Sequence, residues 1–329
     1  MHFVRFLIIA LLAVGTARAQ EFELDPDAVR QAVEAAGQWA EANLDEEALR
    51  ALRQVDRQKV EAFLSSFQQQ LQGARVLDLA ALKDAARAVL PLLEAHQETQ
   101  PYALWLKSRL DYFEVADELR RTAPRPTTAP ARTPPTPANP APALEREVWV
   151  KKVSPRPLPK GAEALVATLK PVFASERVPP ELVWLAEVES AFNMGARSPV
   201  GAAGLFQLMP DTAQRFGLRR WPRDERYQPE PSARAAAQYL RFLHGEFGDW
   251  RLAVAAYNAG EGRVQRLLAR HRTRSFDRIA PHLPAETQMF VPKVEATLLR
   301  REGVELAKLE SPGTKELSSK YPSSQTPSN

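Results

Sequence analysis

Two glutamates, Glu187 and Glu189, lie two positions apart in the segment LAEVESAFN, residues 185–193. A carboxyl group in apolar surroundings has a raised pKa because burial disfavours its charged form, and it can then act as a general acid near neutral pH. On a helix, with about 100° between successive residues, Glu189 falls between Leu182 and Leu185 on the apolar face. Glu187 falls away from that stripe. The helical phase therefore selects Glu189 as the candidate acid and predicts that Glu187 is a surface charge or a neighbour of the site.

A single glutamate in a helix is more often structural, paired with an arginine or capping a neighbouring helix. The residues that follow favour a catalytic interpretation of Glu189. After a helix stop and a loop of small residues, Gly204 is followed by Phe206 and Gln207. Small residues let the backbone approach a ligand closely, Phe206 offers a stacking face and Gln207 an amide, which together could hold a sugar.

A second helix contributes candidate residues further along the chain. The segment WRLAVAAYNAGEGRV is an Ala-rich helix that is predicted to end at Tyr257 and Asn258, with Gly260 as its cap. The Tyr257 hydroxyl is either satisfied in the core or directed into a cleft, and the residues alone leave both options open.

The elements that must position these side chains are predicted to be helices, because apolar residues recur at three and four positions. Helices are predicted at about residues 162–175, 180–190, 210–216, 232–247, 249–258 and 285–300. The predicted fold class is therefore mainly α, with a catalytic domain over residues 159–310 and a polar, disordered tail over 311–329.

The N-terminal half shows a different organisation. Residues 20–120 are rich in Ala, Leu, Glu, Gln and Arg with helical apolar spacing, and they predict a helical module that packs or binds a protein partner. Eight prolines between Pro124 and Pro142 then predict an extended linker over residues 121–158. Within it, REVWVKKV is predicted to be a short strand or an extended lead-in.

Targeting and cofactor expectations come from the N-terminus and the composition. Residues 1–19 are typical of a secretory signal peptide, which predicts a periplasmic or otherwise exported protein without a transmembrane segment after signal removal. The absence of cysteine excludes disulfides, thiol nucleophiles and cysteine metal sites, and the five histidines are scattered, so neither a metal nor a cofactor is expected. The net charge of +4 is mild; it suits an anionic polymer or merely a solvated surface, and a nucleic-acid partner is not predicted.

Three segments together resemble the soluble lytic transglycosylase (SLT) family 1, and within it the membrane-bound lytic transglycosylase D type. They are ELVWLAEVESAFN with the following SPVGAAGLFQLMPDTAQRFGL, then AAYNAGEGRV, then LPAETQMFVPKV, and the resemblance covers about residues 160–300. The family places its catalytic glutamate before a serine, which corresponds to Glu189 followed by Ser190. Gly-Leu-Phe-Gln ending at Gln207 matches a Gly-Leu-Met-Gln element, and the motif containing Tyr257 matches one whose tyrosine lies beside the acid.

The resemblance implies a lysozyme-like α-helical domain that cleaves the β-1,4 bond between N-acetylmuramic acid and N-acetylglucosamine in peptidoglycan glycan strands. It implies one glutamate that acts first as acid and then as base, and a product with a 1,6-anhydromuramoyl end. Glu187 cannot be a second acid because it points away from Glu189 on the same helix. The expected substrate-binding residues are Ser190, Phe206, Gln207, Tyr257 and Asn258.

Two alternatives remain open at this stage. A hydrolytic muramidase similar to goose-type lysozyme would use a second carboxylate, such as Asp211 or Asp224, to position water. A non-catalytic peptidoglycan-binding scaffold would use Glu189 only as a structural residue.

Overall fold

A computed structural model of the chain describes residues 64–65, 67–122 and 139–310. The predicted signal peptide, the beginning of the N-terminal module, the central part of the proline-rich stretch and the predicted tail lie outside the described residues.

Helices make up most of the described chain, which confirms the mainly α fold class. The α-helices are α1 (Lys83–Glu94), α2 (Gln100–Thr122), α3 (Pro142–Val153), α4 (Ala162–Ser175), α5 (Leu185–Ser190), α6 (Pro210–Arg215), α7 (Pro229–Phe247), α8 (Trp250–Ala259), α9 (Glu261–His271), α10 (Phe276–Ile279) and α11 (Ala285–Glu302). Short 3₁₀ helices span Val76–Leu82, Pro180–Trp184, Glu225–Tyr227, Ala280–His282 and Leu306–Lys308. In these ranges, strand pairing is limited to two isolated bridges, Arg197 with Ala203 and Ala203 with Leu208.

Helix α3 corrects two expectations, the end of the linker at residue 158 and the strand or extended lead-in over REVWVKKV. Pro142 lies in the first turn of α3, where its missing amide costs nothing. Trp149 is fully buried and packs edge-on against Tyr112 of α2, with ring centroids 5.6 Å apart. Val148 and Val153 are also buried. Tertiary packing therefore outweighs the weak apolar alternation that suggested an extended segment.

The N-terminal helices share one hydrophobic core with the rest of the described chain. A single cluster of buried side chains runs from Leu64 to Leu306. Helix α2 packs on α3 and α5, and α11 packs on α3, α5 and α8. Helix α11 is buried on most of its surface, as a central helix must be. The expected separation of residues 20–120 from the catalytic domain is therefore not seen for the part described, 64–65 and 67–120.

The chain around α5 turns sharply because of two left-handed residues. Ala191 and Phe192 have φ values of +51° and +60°, and they end α5 immediately after Ser190. The backbone amide and the side-chain amide of Asn193 both donate to the Ser190 carbonyl, at 3.0 and 2.9 Å, which satisfies this acceptor at the helix end. This geometry directs the following loop back under α5. Throughout the described ranges, each helix is too short or too polar to cross a membrane.

Candidate active site

Glu189 lies in the interior of the fold, with 3% of its surface exposed. Its carboxylate oxygen Oε2 accepts a hydrogen bond from Arg109 Nη2 of α2 at 3.1 Å. Its backbone carbonyl accepts from Arg109 Nη1 at 2.5 Å and from Ser108 Oγ at 3.3 Å. The candidate acid is thus held by a helix that lies outside the segment with the family resemblance.

A second buried carboxylate shares the same arginine. Arg109 Nη2 lies 3.5 Å from Oε1 of Glu286 on α11. The other oxygen of Glu286 accepts from the side-chain amides of Gln68 and Gln72, at 3.2 and 3.1 Å. Two carboxylates, Glu189 and Glu286, therefore flank one guanidinium, and the trio has a formal charge of −1 when both acids are ionised.

Burial raises the pKa of Glu189 to about 7. The positive charge of Arg109 opposes that rise, the negative charge of Glu286 adds to it, and Lys293 opposes it. A carboxyl group with a pKa near 7 is partly protonated at neutral pH and can still accept a proton later, as a single acid and base must. The prediction that Glu189 is buried is confirmed, although every residue of α5 is buried and not only one face.

Glu187 corrects the expectation of a surface charge. It is buried, and both of its oxygens accept hydrogen bonds from Arg301 of α11, at 2.9 and 2.8 Å. The expectation failed because α5 is buried on all sides, so its phase does not divide an apolar face from a solvated one. Glu187 therefore forms a structural ion pair with Arg301, whereas Glu189 is paired with Arg109.

The loop after α5 is fixed by Ser190 and Gln207, two of the predicted substrate-binding residues. Ser190 Oγ donates to the Ala186 or the Leu205 carbonyl, at 3.1 and 2.9 Å. Gln207 Nε2 donates to the carbonyls of Ala196 and Gly204, at 3.1 and 2.9 Å. Both side chains therefore support the loop from within, and glycan binding by either one stays a prediction.

The prediction that the Phe206 ring offers a stacking face to a sugar is wrong. The Phe206 side chain is fully buried, and its ring lies 5.6 Å from that of Phe173 in α4. The ring is thus part of the core and is not presented to a sugar. The contribution of Phe206 nearer the site is its backbone carbonyl, which accepts a hydrogen bond from the Tyr257 hydroxyl at 2.8 Å.

The sequence predicted that Gly204 lets the backbone approach a ligand, but in the structure Gly204 lies against another backbone segment. Its φ is +78°, and a side-chain Cβ at this position would lie 1.9 Å from the Arg226 carbonyl oxygen. The glycine is therefore needed where the loop crosses another backbone segment. Arg226 Nη1 in turn donates to the carbonyls of Gly201 and Leu208, at 2.7 and 3.0 Å.

Tyr257 and Asn258 lie at the end of α8, as predicted. Burial raises the pKa of Tyr257 well above its usual value, and the negative charge of Glu189 raises it further. Asn258 Oδ1 accepts from Thr287 Oγ1 of α11 at 2.7 Å, which ties α8 to α11. The Tyr257 hydroxyl therefore joins the loop, through Phe206, to the neighbourhood of Glu189.

Asp211 and Asp224, which a muramidase would use to position water, have different surroundings. Asp224 accepts from Arg226 Nη2 at 2.7 Å and from the Arg226 amide at 3.1 Å. Burial alone would raise the pKa of Asp224, but these bonds to Arg226 outweigh it and lower the pKa. Asp211 is exposed in the first turn of α6. Asp224 is committed to an ion pair, which argues against its use as a base that activates water.

Within the described ranges, no cluster of three or more His, Asp or Glu side chains is arranged to hold a metal ion. Independence from a metal or cofactor stays a prediction.

Sequence reasoning missed Arg109 and Glu286. Glu286 lies in LPAETQMFVPKV, one of the three segments that carry the family resemblance, so a signal for it was present. Arg109 lies in an ordinary amphipathic helix, and nothing in its local sequence distinguishes it from the other arginines of the chain.

Residues 173–279 match the family model described as "Transglycosylase SLT domain", so this part of the chain is an SLT domain. The predicted resemblance is thereby confirmed.

Similar proteins include the "Membrane-bound lytic murein transglycosylase D" of Escherichia coli (strain K12), 42% identical over 123 residues, which cover 36% of this chain and 27% of that protein. The "Soluble lytic murein transglycosylase" of Salmonella typhimurium is 42% identical over 88 residues, covering 25% of this chain and 14% of that protein. The match thus spans about a quarter or less of these two relatives. The crystal structure of the 70 kDa soluble lytic transglycosylase of Escherichia coli aligns with 90% of this chain and 56% of that chain, at 19% identity and a TM-score of 0.40.

Proposed function

We propose that this protein is a lytic transglycosylase that cleaves the β-1,4 bond between N-acetylmuramic acid and N-acetylglucosamine in peptidoglycan. The observation that carries the proposal is the buried carboxyl group of Glu189, whose pKa is raised to about 7 within the SLT domain. The names of the similar proteins supply the substrate class, and the signal-like residues 1–19 support action in the periplasm or elsewhere outside the cytoplasm.

Glu189 performs both proton transfers in the proposed reaction. Its carboxyl group first protonates the glycosidic oxygen, and the bond from that oxygen to C1 of the muramoyl residue breaks. The resulting carboxylate then removes the proton of the C6 hydroxyl of the same sugar as O6 bonds to C1. The leaving sugar has gained one proton, the enzyme has regained its own, and no water is consumed. A tethered hydroxyl suits a site with one acid because its proximity replaces activation of a water molecule.

The surroundings of the other carboxylates favour this reaction over hydrolysis. A two-carboxylate glycosidase needs a second acid on the opposite side of the bond, about 5 to 9.5 Å away. Glu187 is paired with Arg301 and Asp224 with Arg226. Glu286 is occupied by Arg109 and two glutamine amides. These three carboxylates each contact donors through both oxygens. Glu189 shares Arg109 with Glu286 and combines that contact with a pKa that burial raises to about 7.

The remaining predicted substrate-binding residues act in this proposal mainly by shaping the site. Ser190 and Gln207 hold the loop after α5, Asn258 joins α8 to α11, and Tyr257 joins α8 to the loop. Phe206 contributes its carbonyl oxygen.

The test is mass spectrometry of peptidoglycan fragments released by the wild type and by Glu189→Gln. We expect 1,6-anhydromuramoyl ends from the wild type and no released fragments from the variant. Reducing muramic acid ends without anhydro ends would establish a hydrolytic muramidase instead. Binding without cleavage by the folded wild type would favour the scaffold alternative.

A further inference from the structure

Arg109 reaches Glu189 from outside the segment that the SLT family model matches. It lies on α2, whereas the matched residues are 173–279. Its two terminal nitrogens contact both the carboxylate and the backbone carbonyl of Glu189, at 3.1 and 2.5 Å. This two-point contact restricts the direction of the Glu189 side chain, and the guanidinium charge favours the ionised form of its carboxyl group.

The guanidinium is itself held in place by its surroundings. Arg109 is 4% exposed, and its Nη1 also donates to Ser108 Oγ at 2.7 Å. The guanidinium carbon Cζ lies 5.7 Å from the centre of the Trp105 ring. Lys293 of α11 donates to the Ser108 carbonyl at 2.8 Å and pairs with Asp111 at 3.3 Å. Helix α2 is thus fastened to α11 on both sides of Arg109, and the arginine has little freedom to leave Glu189.

The ionisable groups that face Glu189 come from three helices. Helix α2 supplies Arg109 and Tyr112, helix α11 supplies Glu286 and Lys293, and helix α8 supplies Tyr257. Arg109 favours the ionised form of Glu189, and Glu286 favours the protonated form. Because the same guanidinium contacts both carboxylates, its positive charge offsets the repulsion that Glu286 exerts on ionised Glu189.

We propose that Arg109 is a positioning residue of this site, which orients the Glu189 carboxyl group and balances the charge of Glu286, so that α2 is part of the catalytic unit. This inference rests on the proposed function, because it assigns Arg109 a role only if Glu189 transfers protons. It gives the N-terminal helical region a role in the reaction beside any partner that it binds.

The proposal predicts opposite pH effects at Arg109 and Glu286. The first step needs protonated Glu189, so activity falls as the pH rises through the pKa of that group. Removing the positive charge at Arg109 raises this pKa and moves the alkaline limb of the pH profile to higher pH. Removing the negative charge at Glu286 lowers the pKa and moves the limb to lower pH.

The experiment measures kcat/KM against pH for the full chain acting on soluble, uncrosslinked peptidoglycan strands. We expect Arg109→Gln to lower kcat about tenfold or more through lost orientation, and to shift the alkaline limb upward by about half a pH unit or more. Glu286→Gln should shift it downward. Arg109→Lys should keep the limb near that of the wild type while lowering kcat, because an ammonium preserves the charge but not the two-point contact.

The matched control is Arg301→Gln. The Arg301 side chain is 7% exposed against 5% for Arg109, and it is paired with Glu187 of the short helix α5. This substitution should lower the melting temperature and leave the alkaline limb unchanged. A purely structural role for Arg109 would give the same result for Arg109→Gln.

The failures of the two proposals are distinguishable. If Glu189→Gln abolishes cleavage but neither Arg109→Gln nor Glu286→Gln shifts the limb, the role of Arg109 is refuted and the proposed function stands. If Arg109→Gln does not fold, an unshifted limb in Glu286→Gln together with wild-type kcat in Arg109→Lys refutes it. Wild-type cleavage by Glu189→Gln overturns both proposals.

Discussion

At the residue scale, the proposed chemistry depends on a carboxyl group that is buried beside a cation yet is still able to exchange its proton. Burial without any partner would be too costly, and a single close arginine would lock the group in its ionised form. Glu189 lies between these limits because Arg109 is shared with Glu286. An arginine-paired structural glutamate and the proposed catalytic acid are therefore compatible in one side chain.

Tyr257→Phe tests the hydrogen bond that joins α8 to the loop beside Glu189. The hydroxyl donates to the Phe206 carbonyl at 2.8 Å, and its loss removes one partly buried hydrogen bond. We expect the free energy of unfolding to fall by about 1 kcal/mol. Turnover should fall by about tenfold or more, because the loop beside Glu189 loses its connection to α8. Kinetics and urea unfolding of the same preparation provide the comparison, and an unchanged turnover would refute this role.

Sequence reasoning selected Glu189 from the order of the motifs, which is a local property, and its catalytic role stays a prediction. It failed for Glu187 and Phe206, since the phase of one helix does not reveal how many neighbours cover it. It could not identify Arg109, whose role depends on a contact across 80 positions of sequence.

At the element scale, the loop between α5 and α6 is built around crossings of backbone segments. Arg226 spans it by donating to Gly201 and Leu208, and Gly204 passes directly against the Arg226 carbonyl. The regular spacing of apolar residues predicted most of the helices. It did not predict α3, which depends on burying Trp149 against α2.

Gly204→Ala and Gly217→Ala separate two costs of replacing a loop glycine. Both residues have positive φ, +78° and +83°, but a Cβ meets the Arg226 carbonyl only at Gly204 and open space at Gly217. We expect Gly217→Ala to lose about 1 kcal/mol from backbone strain. Gly204→Ala should lose at least about 2 kcal/mol more, because backbone has to move. Denaturant unfolding measures both, and equal losses would show that the crossing is not tight.

At the scale of the whole molecule, the described helices form one body rather than a catalytic domain with a separate accessory module. Helix α2 contributes Tyr112 and Phe113 to the same buried cluster that contains Phe173 and Phe290. The proline-rich composition predicted a linker, and residues 123–138, which would form most of it, lie outside the described part of the chain. The composition could not reveal that the segments on either side join the same core.

The shared core predicts that residues 159–310 alone are less stable than the full chain. This fragment lacks α2 and α3, so the faces of α5 and α11 that they cover would be exposed. We expect its melting temperature to be lower by more than about 10 °C, or its cooperative transition to be lost. Calorimetry of the fragment and the full chain gives the answer, and equal melting temperatures would restore the division into separate domains.

The central claim, that Glu189 carries the reaction, is tested most directly by comparing Glu189→Gln with Glu187→Gln. Both glutamates lie on α5, both are buried, and each is paired with one arginine. The measurement is the rate at which each folded variant releases soluble fragments from purified peptidoglycan. We predict a loss of at least about a hundredfold for Glu189→Gln, and a rate within about tenfold of the wild type for Glu187→Gln. Release by Glu189→Gln at the wild-type rate would contradict the account.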